Sequence, residues 1–291
     1  MSATNGNGTS LVGEGRLSRR AFVGALGAAT VAGMGILAGC SGGNGSDGSQ
    51  GDDSSDASSS NELGLIEEGK LIVGSDCAYP PFTYLDGEQS AGFEYELMCA
   101  ICDEIGLTCE YHTPLDFDTL CASVAAGGMI DVAVSAITIE PERQETVDFT
   151  EPYFDSNQSV TVLKDSGFES AADLAGKRIA VQSGTTGETW AKENIEDAEV
   201  TPFDEAPAAM AALQAGKAEA VVIDLPVAVE MLNSSYDSCE IIEEVPTGEQ
   251  YGIAVSKDNN ALRDRLNEGL AAIRENGTYQ EIYDSYFAVE G

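Results

Sequence analysis

Basic residues are scarce in this chain of 291 residues. Fourteen lysines and arginines stand against 50 acidic residues, which gives a formal net charge of −36. This balance excludes a general nucleic-acid-binding protein, because contacts to phosphates need clustered Lys and Arg side chains. An acidic surface favours solubility and repels anionic lipid headgroups. It does not define the ligand, because a pocket can differ in sign from the surface around it.

Histidine is nearly absent, and long apolar runs are few. His112 is the only histidine, and an isolated histidine is more often structural than a metal ligand or a catalytic base. Cys99 and Cys102 form a CxxC pair, but neither a second such pair nor a Cys–His pair completes a tetrahedral zinc site. The sequence therefore predicts no metal and no cofactor. Beyond residue 63 no second hydrophobic run is long enough to span a membrane.

The one long uncharged run, residues 21–39, follows a basic segment and is rich in Gly and Ala. That composition makes it only weakly apolar for a membrane span. A basic segment, a modest apolar stretch and an end of small residues are typical of an export signal. The pair Arg19-Arg20 resembles the start of a twin-arginine signal.

The end of this run, Leu37-Ala38-Gly39-Cys40, resembles a bacterial lipobox. Residues 1–39 are therefore predicted to be a cleaved signal peptide, and Cys40 the lipidated first residue of the mature chain. The alternative is a retained transmembrane anchor. Residues 40–62 are predicted to be a flexible linker, because Ser, Gly, Asp and Asn cannot bury enough apolar surface to offset the entropy of ordering.

From residue 63 onward, short apolar runs alternate with helical patterns, which is typical of an α/β fold with flanking helices. Apolar residues spaced three to four apart predict a helix over 93–105. Apolar runs predict strands at 132–136, 220–223 and 251–255. Because ligands bind beyond the carboxyl ends of strands in open α/β sheets, the ends of the first two strands are expected to face a shared cleft.

Five segments, taken in order, carry a resemblance to a known family. They are Gly74-Ser75-Asp76 with Tyr79-Pro80-Pro81-Phe82, then Ser135-Ala136-Ile137-Thr138-Ile139-Glu140-Pro141-Glu142-Arg143 with Val147-Asp148-Phe149, then Gln182-Ser183-Gly184-Thr185-Thr186, then Val221-Val222-Ile223-Asp224, and finally Glu275-Asn276-Gly277-Thr278-Tyr279. Together they resemble the polar amino-acid substrate-binding proteins of ABC transporters, the family of the histidine-, glutamine- and arginine-binding proteins. The resemblance runs from about residue 65 to 287.

The resemblance implies a type II periplasmic-binding-protein fold, in which two α/β lobes joined by a two-strand hinge close on the ligand. The first lobe is expected at residues 63–155 and 251–291, and the second at residues 156–250. The chain is expected to cross between the lobes near residues 154–158 and to return near 248–252.

A free α-amino acid presents a carboxylate and an ammonium group close together, and a buried site must match both charges. Arg143 is expected to bind the carboxylate, because a guanidinium group binds two oxygens at once; the alternative is a solvated helix arginine. Thr186 opens a helix whose free N–H groups favour an anion, although Thr185 or Thr186 also suits an N-cap. Asp224 is expected to bind the ammonium, or else to cap the following helix.

The resemblance implies further contacts to the ligand. Tyr79 and Phe117 would sandwich its side chain, since aromatic rings offer apolar contact and can hold a cation; Phe117 can also be read as a core aromatic. The Ser135 carbonyl would lie near the ammonium and the Thr138 hydroxyl near the carboxylate, and Ala136 is also expected among the ligand-binding residues. The remaining two residues are Asp76, which favours a side chain with a cation or amide N–H, and Gln182, which adds a polar contact.

Export permits disulfides. A bond between Cys102 and Cys109 matches the disulfide of some members of the resembled family. Composition and spacing leave the state of the other cysteines after the linker open, and these are Cys77, Cys99, Cys121 and Cys239.

The sequence thus predicts an exported lipoprotein, anchored to the outer face of the cell membrane through Cys40. It would capture a free polar or basic L-amino acid for an ABC permease and its ATPase, without catalysing a reaction and without binding nucleic acid. Two alternatives stay open. An enzyme on the same fold, similar to a cyclohexadienyl dehydratase, would need an acid aimed at a leaving hydroxyl. An amino-acid sensor would carry a further membrane span and a signalling domain.

Overall fold

The computed structural model describes residues 61–288. The predicted signal peptide, the predicted lipidation site Cys40 and nearly all of the predicted linker lie outside the described residues. Within residues 61–288, no helix combines the length and the apolar character needed to cross a membrane.

The described chain alternates strands and helices, as the sequence predicts for its class. The strands are β1 (Lys70–Gly74), β2 (Ala78–Tyr79), β3 (Thr83–Asp86), β4 (Gln89–Ala91), β5 (Thr108–His112), β6 (Val132–Ala133), β7 (Val147–Phe149), β8 (Phe154–Leu163), β9 (Arg178–Gln182), β10 (Glu199–Phe203), β11 (Ala220–Asp224), β12 (Cys239–Tyr251) and β13 (Ala254–Ser256). The α-helices are α1 (Phe93–Ile105), α2 (Leu120–Ala126), α3 (Pro141–Gln144), α4 (Thr186–Asn194), α5 (Ala206–Gln214), α6 (Leu225–Ser234), α7 (Asn260–Glu275) and α8 (Thr278–Phe287). Short 3-10 turns cover Asn61–Leu63, Phe117–Thr119 and Ala171–Leu174.

The first five-stranded sheet has the order β5-β1-β6-β13-β7. β1 pairs in parallel with β5 and β6, whereas β13 pairs antiparallel with β6 and β7. Helix α1 packs against α7 and α8. Gly269 permits the close approach of α7, because a Cβ at that position would lie 2.8 Å from Ile105 Cγ2.

The second five-stranded sheet has the order β10-β9-β11-β8-β12. Its β9–β10 and β9–β11 pairs are parallel, and β8 pairs antiparallel with β11 and β12. The short strands β2, β3 and β4 form a separate meander. Each large sheet carries its own layer of buried apolar side chains, so the described chain has two α/β lobes.

Two antiparallel strands connect the lobes. The chain leaves the first sheet after Phe149, enters β8 at Phe154 and returns through the end of β12, where Tyr251 lies opposite Phe154. Tyr153 N–H donates to the Tyr251 carbonyl at 2.9 Å. This pair of strands lies where the resemblance places the hinge.

Two predicted strands differ from the structure. The run 132–136 forms a strand only at Val132–Ala133, and its last residue, Ala136, has φ +48°, which an extended strand does not allow. The run 251–255 belongs to two different sheets, since β12 ends at Tyr251 and β13 begins at Ala254. An apolar run does not show where a chain changes sheets, so periodicity alone misses this break.

The predicted disulfide between Cys102 and Cys109 is not formed in the structure, where both residues are free thiols. Cys109 on β5 interacts with the thiols of both Cys99 and Cys102, which follow one another on the same face of α1. The contact with Cys109 and burial raise the pKa of the Cys99 thiol above its ordinary value. The contact with Cys102 and burial raise the pKa of the Cys109 thiol, and the contact with Cys99 opposes that rise.

Candidate functional site

Polar side chains from both lobes meet where β1, β6, β9 and β11 end. A narrow inner cavity there is lined by Tyr79, Phe117, Ala136, Thr138, Arg143, Thr185, Thr186 and Asp224. Seven of these eight residues are among the ligand-binding residues that the sequence predicts. A wider cavity of about 290 Å³ adjoins it and shares Phe117, Arg143 and Thr185 with it.

Arg143 lies at the junction of the two cavities. Pro141 occupies the first turn of α3, a position that tolerates proline because its missing N–H has no helical acceptor. One turn of this helix brings Arg143 back over the preceding chain, where its Nη1 donates to the Thr138 carbonyl at 2.9 Å. Its Nε pairs with Glu140 Oε1 at 3.0 Å, and its guanidinium lies 5.4 Å from the centroid of the Phe117 ring.

Arg143 also reaches the second lobe, since its Nη2 donates to the Gly184 carbonyl at 2.9 Å. A guanidinium group has five N–H donors. These three contacts leave one N–H on each terminal nitrogen, which is the arrangement that binds the two oxygens of a carboxylate.

Asp224 ends β11 and is only 6% exposed. Its Oδ2 accepts a hydrogen bond from the Tyr251 hydroxyl at 2.5 Å, and its Oδ1 accepts from Gln158 Nε2. Burial is the main cause, and the charge of the nearby Glu249 carboxylate the second cause, that raises the pKa of the Asp224 carboxyl from 3.8 to about 7. The structure gives no side-chain cap from Asp224 to α6, so its carboxylate is directed to the cavity and its polar neighbours.

Asp76, Ser135 and Gln182 form a buried polar group beside the inner cavity. Asp76 Oδ1 accepts from the Ser135 hydroxyl at 2.8 Å, and Asp76 Oδ2 accepts from Gln182 Nε2 at 2.9 Å. The second bond joins the two lobes directly. Burial raises the pKa of Asp76, and Gln182 Oε1 has no hydrogen-bond partner in the structure. A donor on a ligand side chain would satisfy that oxygen.

Ala136 turns sharply beneath the cavity. Its backbone lies in the left-handed region, and its N–H donates to Glu94 Oε1 at 2.6 Å. Glu94 is fully buried and also accepts from the hydroxyls of Thr83 and Tyr153. Desolvation raises the pKa of Glu94 to about 7. Glu94 therefore holds the turn that presents the Ser135-Ala136 segment to the cleft.

Thr186 opens α4 next to the cavity, and Thr185 is the N-cap, because its Oγ1 accepts from Glu188 N at 3.1 Å. The first N–H groups of α4 have no helical acceptor and point toward the cleft end of the helix. Glu249, on the returning hinge strand, lies between the lobes. Its Oε2 accepts from Thr138 Oγ1 at 3.3 Å, Thr186 Oγ1 at 3.2 Å and Gln158 Nε2 at 3.0 Å.

Four residues of this site escape the sequence reasoning: Glu94, Gln158, Glu249 and Tyr251. Glu94 and Gln158 carry a usable signal, since polar side chains within otherwise apolar surroundings are expensive to bury without partners. Glu249 and Tyr251 lie in the predicted hinge, but nothing in the local sequence shows that their side chains turn into the cleft.

Comparison with known proteins agrees with this architecture. Residues 71–289 match the model of the bacterial extracellular solute-binding proteins, family 3, and the chain belongs to that family. The L-cystine-binding protein TcyJ of Escherichia coli (strain K12) is 27% identical over 281 residues, which cover 94% of this chain and 97% of that protein. The ABC transporter arginine-binding protein 1 of the same organism is 34% identical over 224 residues, covering 75% and 90% respectively.

A solved structure of an ancestral arginine-binding protein bound to arginine superposes with a TM-score of 0.72 at 35% identity. The match covers 76% of this chain and 99% of that one. The predicted family resemblance and the predicted two-lobed α/β fold are therefore confirmed.

Proposed function

We propose that this protein is an exported receptor that captures a free L-amino acid with a polar or cationic side chain and delivers it to an ABC permease. The observation that carries the proposal is one cavity lined by Arg143 from the first lobe and buried Asp224 from the second. Opposite charges facing a single small space suit a zwitterion, which needs both partners when it leaves water. The family membership supports the transport role.

The acidic character of the site supports a ligand with an additional positive charge. Asp76, Asp224 and Glu249 lie in or beside the cavity, whereas Arg143 is its one lining cation among the described residues and is already paired with Glu140. A cationic amino acid carries two positive groups and one carboxylate, and it offsets this excess of acids better than a neutral one. The relatives named for arginine are consistent with this choice.

Ligand capture would work by closing the cleft. A ligand that contacts Arg143 and Asp224 at once stabilises the closed arrangement more than the open one, and this difference shifts the population. The permease would then recognise the closed form. The lipid anchor on Cys40, the cleaved signal at 1–39 and the lobe bounds at 63–155, 156–250 and 251–291 are part of this proposal, as are the ligand contacts of the predicted site residues.

The decisive measurement is calorimetry of the exported protein against the twenty L-amino acids. We expect binding of one or a few cationic amino acids, loss of that binding in Arg143→Ala, and none of this loss in the matched control Arg265→Ala. Arg265 is a half-buried arginine on α7 that pairs with Glu268 and donates to the Ile105 carbonyl, and it does not line either cavity of the site. No detectable binding of any amino acid to the unaltered protein would refute the proposal.

One observation favours the enzyme alternative. A buried acid with a pKa near 7, such as Asp224, is suited to donate a proton at neutral pH. However, both Asp224 oxygens already accept hydrogen bonds, from Tyr251 and Gln158. Incubation with prephenate or arogenate, followed by product analysis, separates the two functions, and we expect no turnover.

A further inference from the structure

The returning hinge strand places one acid, Glu249, against the hydroxyls of two cavity-lining threonines. Oε2 of Glu249 lies 3.3 Å from Thr138 Oγ1 in the first lobe and 3.2 Å from Thr186 Oγ1 in the second. Both threonines line the inner cavity. Glu249 is half-buried and its contacts lie more than sixty positions away along the chain.

These contacts fix the direction of the hydroxyl hydrogens. An ionised carboxylate has no hydrogen to give and can only accept. Each hydroxyl has a single hydrogen, which must therefore point at Glu249. The Gln158 amide nitrogen has two hydrogens, and Asp224 Oδ1 takes one of them. The other lies within reach of Glu249 Oε2 at 3.0 Å and Thr186 Oγ1 at 3.2 Å, and either oxygen would accept it. The hydroxyl oxygens of Thr138 and Thr186 then face the cavity with lone pairs, which accept hydrogen bonds.

We propose that Glu249 is a positioning residue which makes the Thr138 and Thr186 hydroxyls acceptors for the ligand's α-ammonium, and so selects α-amino acids against analogues that lack this group. The proposal rests on the proposed function and assigns the ammonium side of that site. It reverses the expectation that the threonine hydroxyls serve the carboxylate. The carboxylate is left to Arg143 and to the first N–H groups of α4.

Electrostatics acts in the same direction. Glu249 raises the pKa of Asp224 through its charge, which means that the two acids are close enough to repel one another. A cation placed beside both relieves that repulsion. The groups facing Asp224 are otherwise neutral donors, namely Tyr79, Tyr251 and Gln158.

The test compares L-arginine with 5-guanidinopentanoate, which keeps the carboxylate and the guanidinium but lacks the α-ammonium. Calorimetry of the full exported protein at pH 7.5 gives both affinities for the unaltered chain and for Glu249→Gln. A glutamine amide can donate to the two hydroxyls and so releases their hydrogens toward the cavity. We expect L-arginine to bind about 20-fold more weakly, which is about 1.8 kcal/mol, and 5-guanidinopentanoate to change less than about threefold.

Glu240→Gln is the matched control, because Glu240 lies exposed near the other end of β12 and loses the same charge. It should alter neither affinity. A Glu249→Gln variant that weakens both ligands by the same factor, or that binds L-arginine within about threefold of the unaltered chain, overturns the assignment.

Thr138→Val provides a second route if Glu249→Gln does not fold. It keeps the shape of the side chain and removes the acceptor, so it should also weaken L-arginine selectively. Because Glu249 is argued to act through the threonines, the double variant should lose less than the sum of the two single losses. Fully additive losses would show a separate structural role and refute the mechanism. If the unaltered protein does not bind L-arginine at all, the proposed cationic ligand fails first, a result distinct from an unchanged selectivity.

Discussion

Ligand binding should weaken steeply as the pH falls from 7 to 5, because Asp224 must be ionised to hold an ammonium group. Its carboxyl is buried and its pKa is raised from 3.8 to about 7, chiefly by burial and next by the charge of Glu249. Near pH 7 about half of the free protein has the ionised form, and at pH 5 about one molecule in a hundred. L-arginine keeps its charges over this range, so the change belongs to the protein.

The expected size follows from linkage. Binding to the ionised form alone must be accompanied by release of the Asp224 proton, which weakens the apparent affinity about tenfold per pH unit below the pKa. Between pH 7 and pH 5 the loss is on the order of 50-fold, or roughly 2.3 kcal/mol. Calorimetry at pH 6 in two buffers with different heats of ionisation should also register close to one proton released per ligand bound.

Asp224→Asn provides the control. It should bind weakly and with little dependence on pH, and any slope that survives would be assigned to Asp76 or Glu94, whose pKa values are also raised by burial. If the unaltered protein binds L-arginine with an affinity that varies less than about threefold over this range, Asp224 is not the ammonium partner or is ionised throughout, and the reasoning fails.

Three further outcomes are expected. Arg143→Ala should lose roughly 3–5 kcal/mol of binding by calorimetry, because it leaves the ligand carboxylate without its charge partner; binding within threefold of the unaltered chain would contradict this. Arg143→Lys should also bind poorly, because an ammonium cannot make the paired contacts of the guanidinium. Cys40→Ser should release or misprocess the exported protein in a membrane-fractionation experiment, whereas unchanged membrane association would indicate an uncleaved anchor. Burial raises the pKa of Glu94 to about 7. Its contribution to stability is therefore full below the unfolded pKa and is lost as the pH rises toward 7. Glu94→Gln should remove roughly 3 kcal/mol of this pH dependence in thermal or denaturant unfolding, and an unchanged slope of stability against pH would argue against this role.

Several elements of the fold follow from local pattern. Helix α1 covers the residues that the apolar spacing predicts, and β11 differs from the predicted bounds by one residue. Helix α4 begins at Thr186, the residue predicted to open it. A buried face repeated every three to four residues or an unbroken apolar run is a property of neighbouring residues, so the sequence displays it directly. The same reasoning fails at Ala136, where a contact with Glu94, 42 positions earlier, accompanies a backbone turn that no apolar run reveals.

The sequence by itself determined the class of fold, the two charged groups Arg143 and Asp224, and the family to which the chain belongs. It did so because strand ends, helix starts and charged residues in apolar surroundings are all local features. Only the tertiary structure decided which polar side chains of the site form hydrogen bonds with one another. Asp76 meets Gln182 across 106 positions of the chain, and Thr138 meets Glu249 across 111. Such contacts depend on how two lobes approach one another, and the direction of a hydroxyl hydrogen depends in turn on which acceptor that approach delivers.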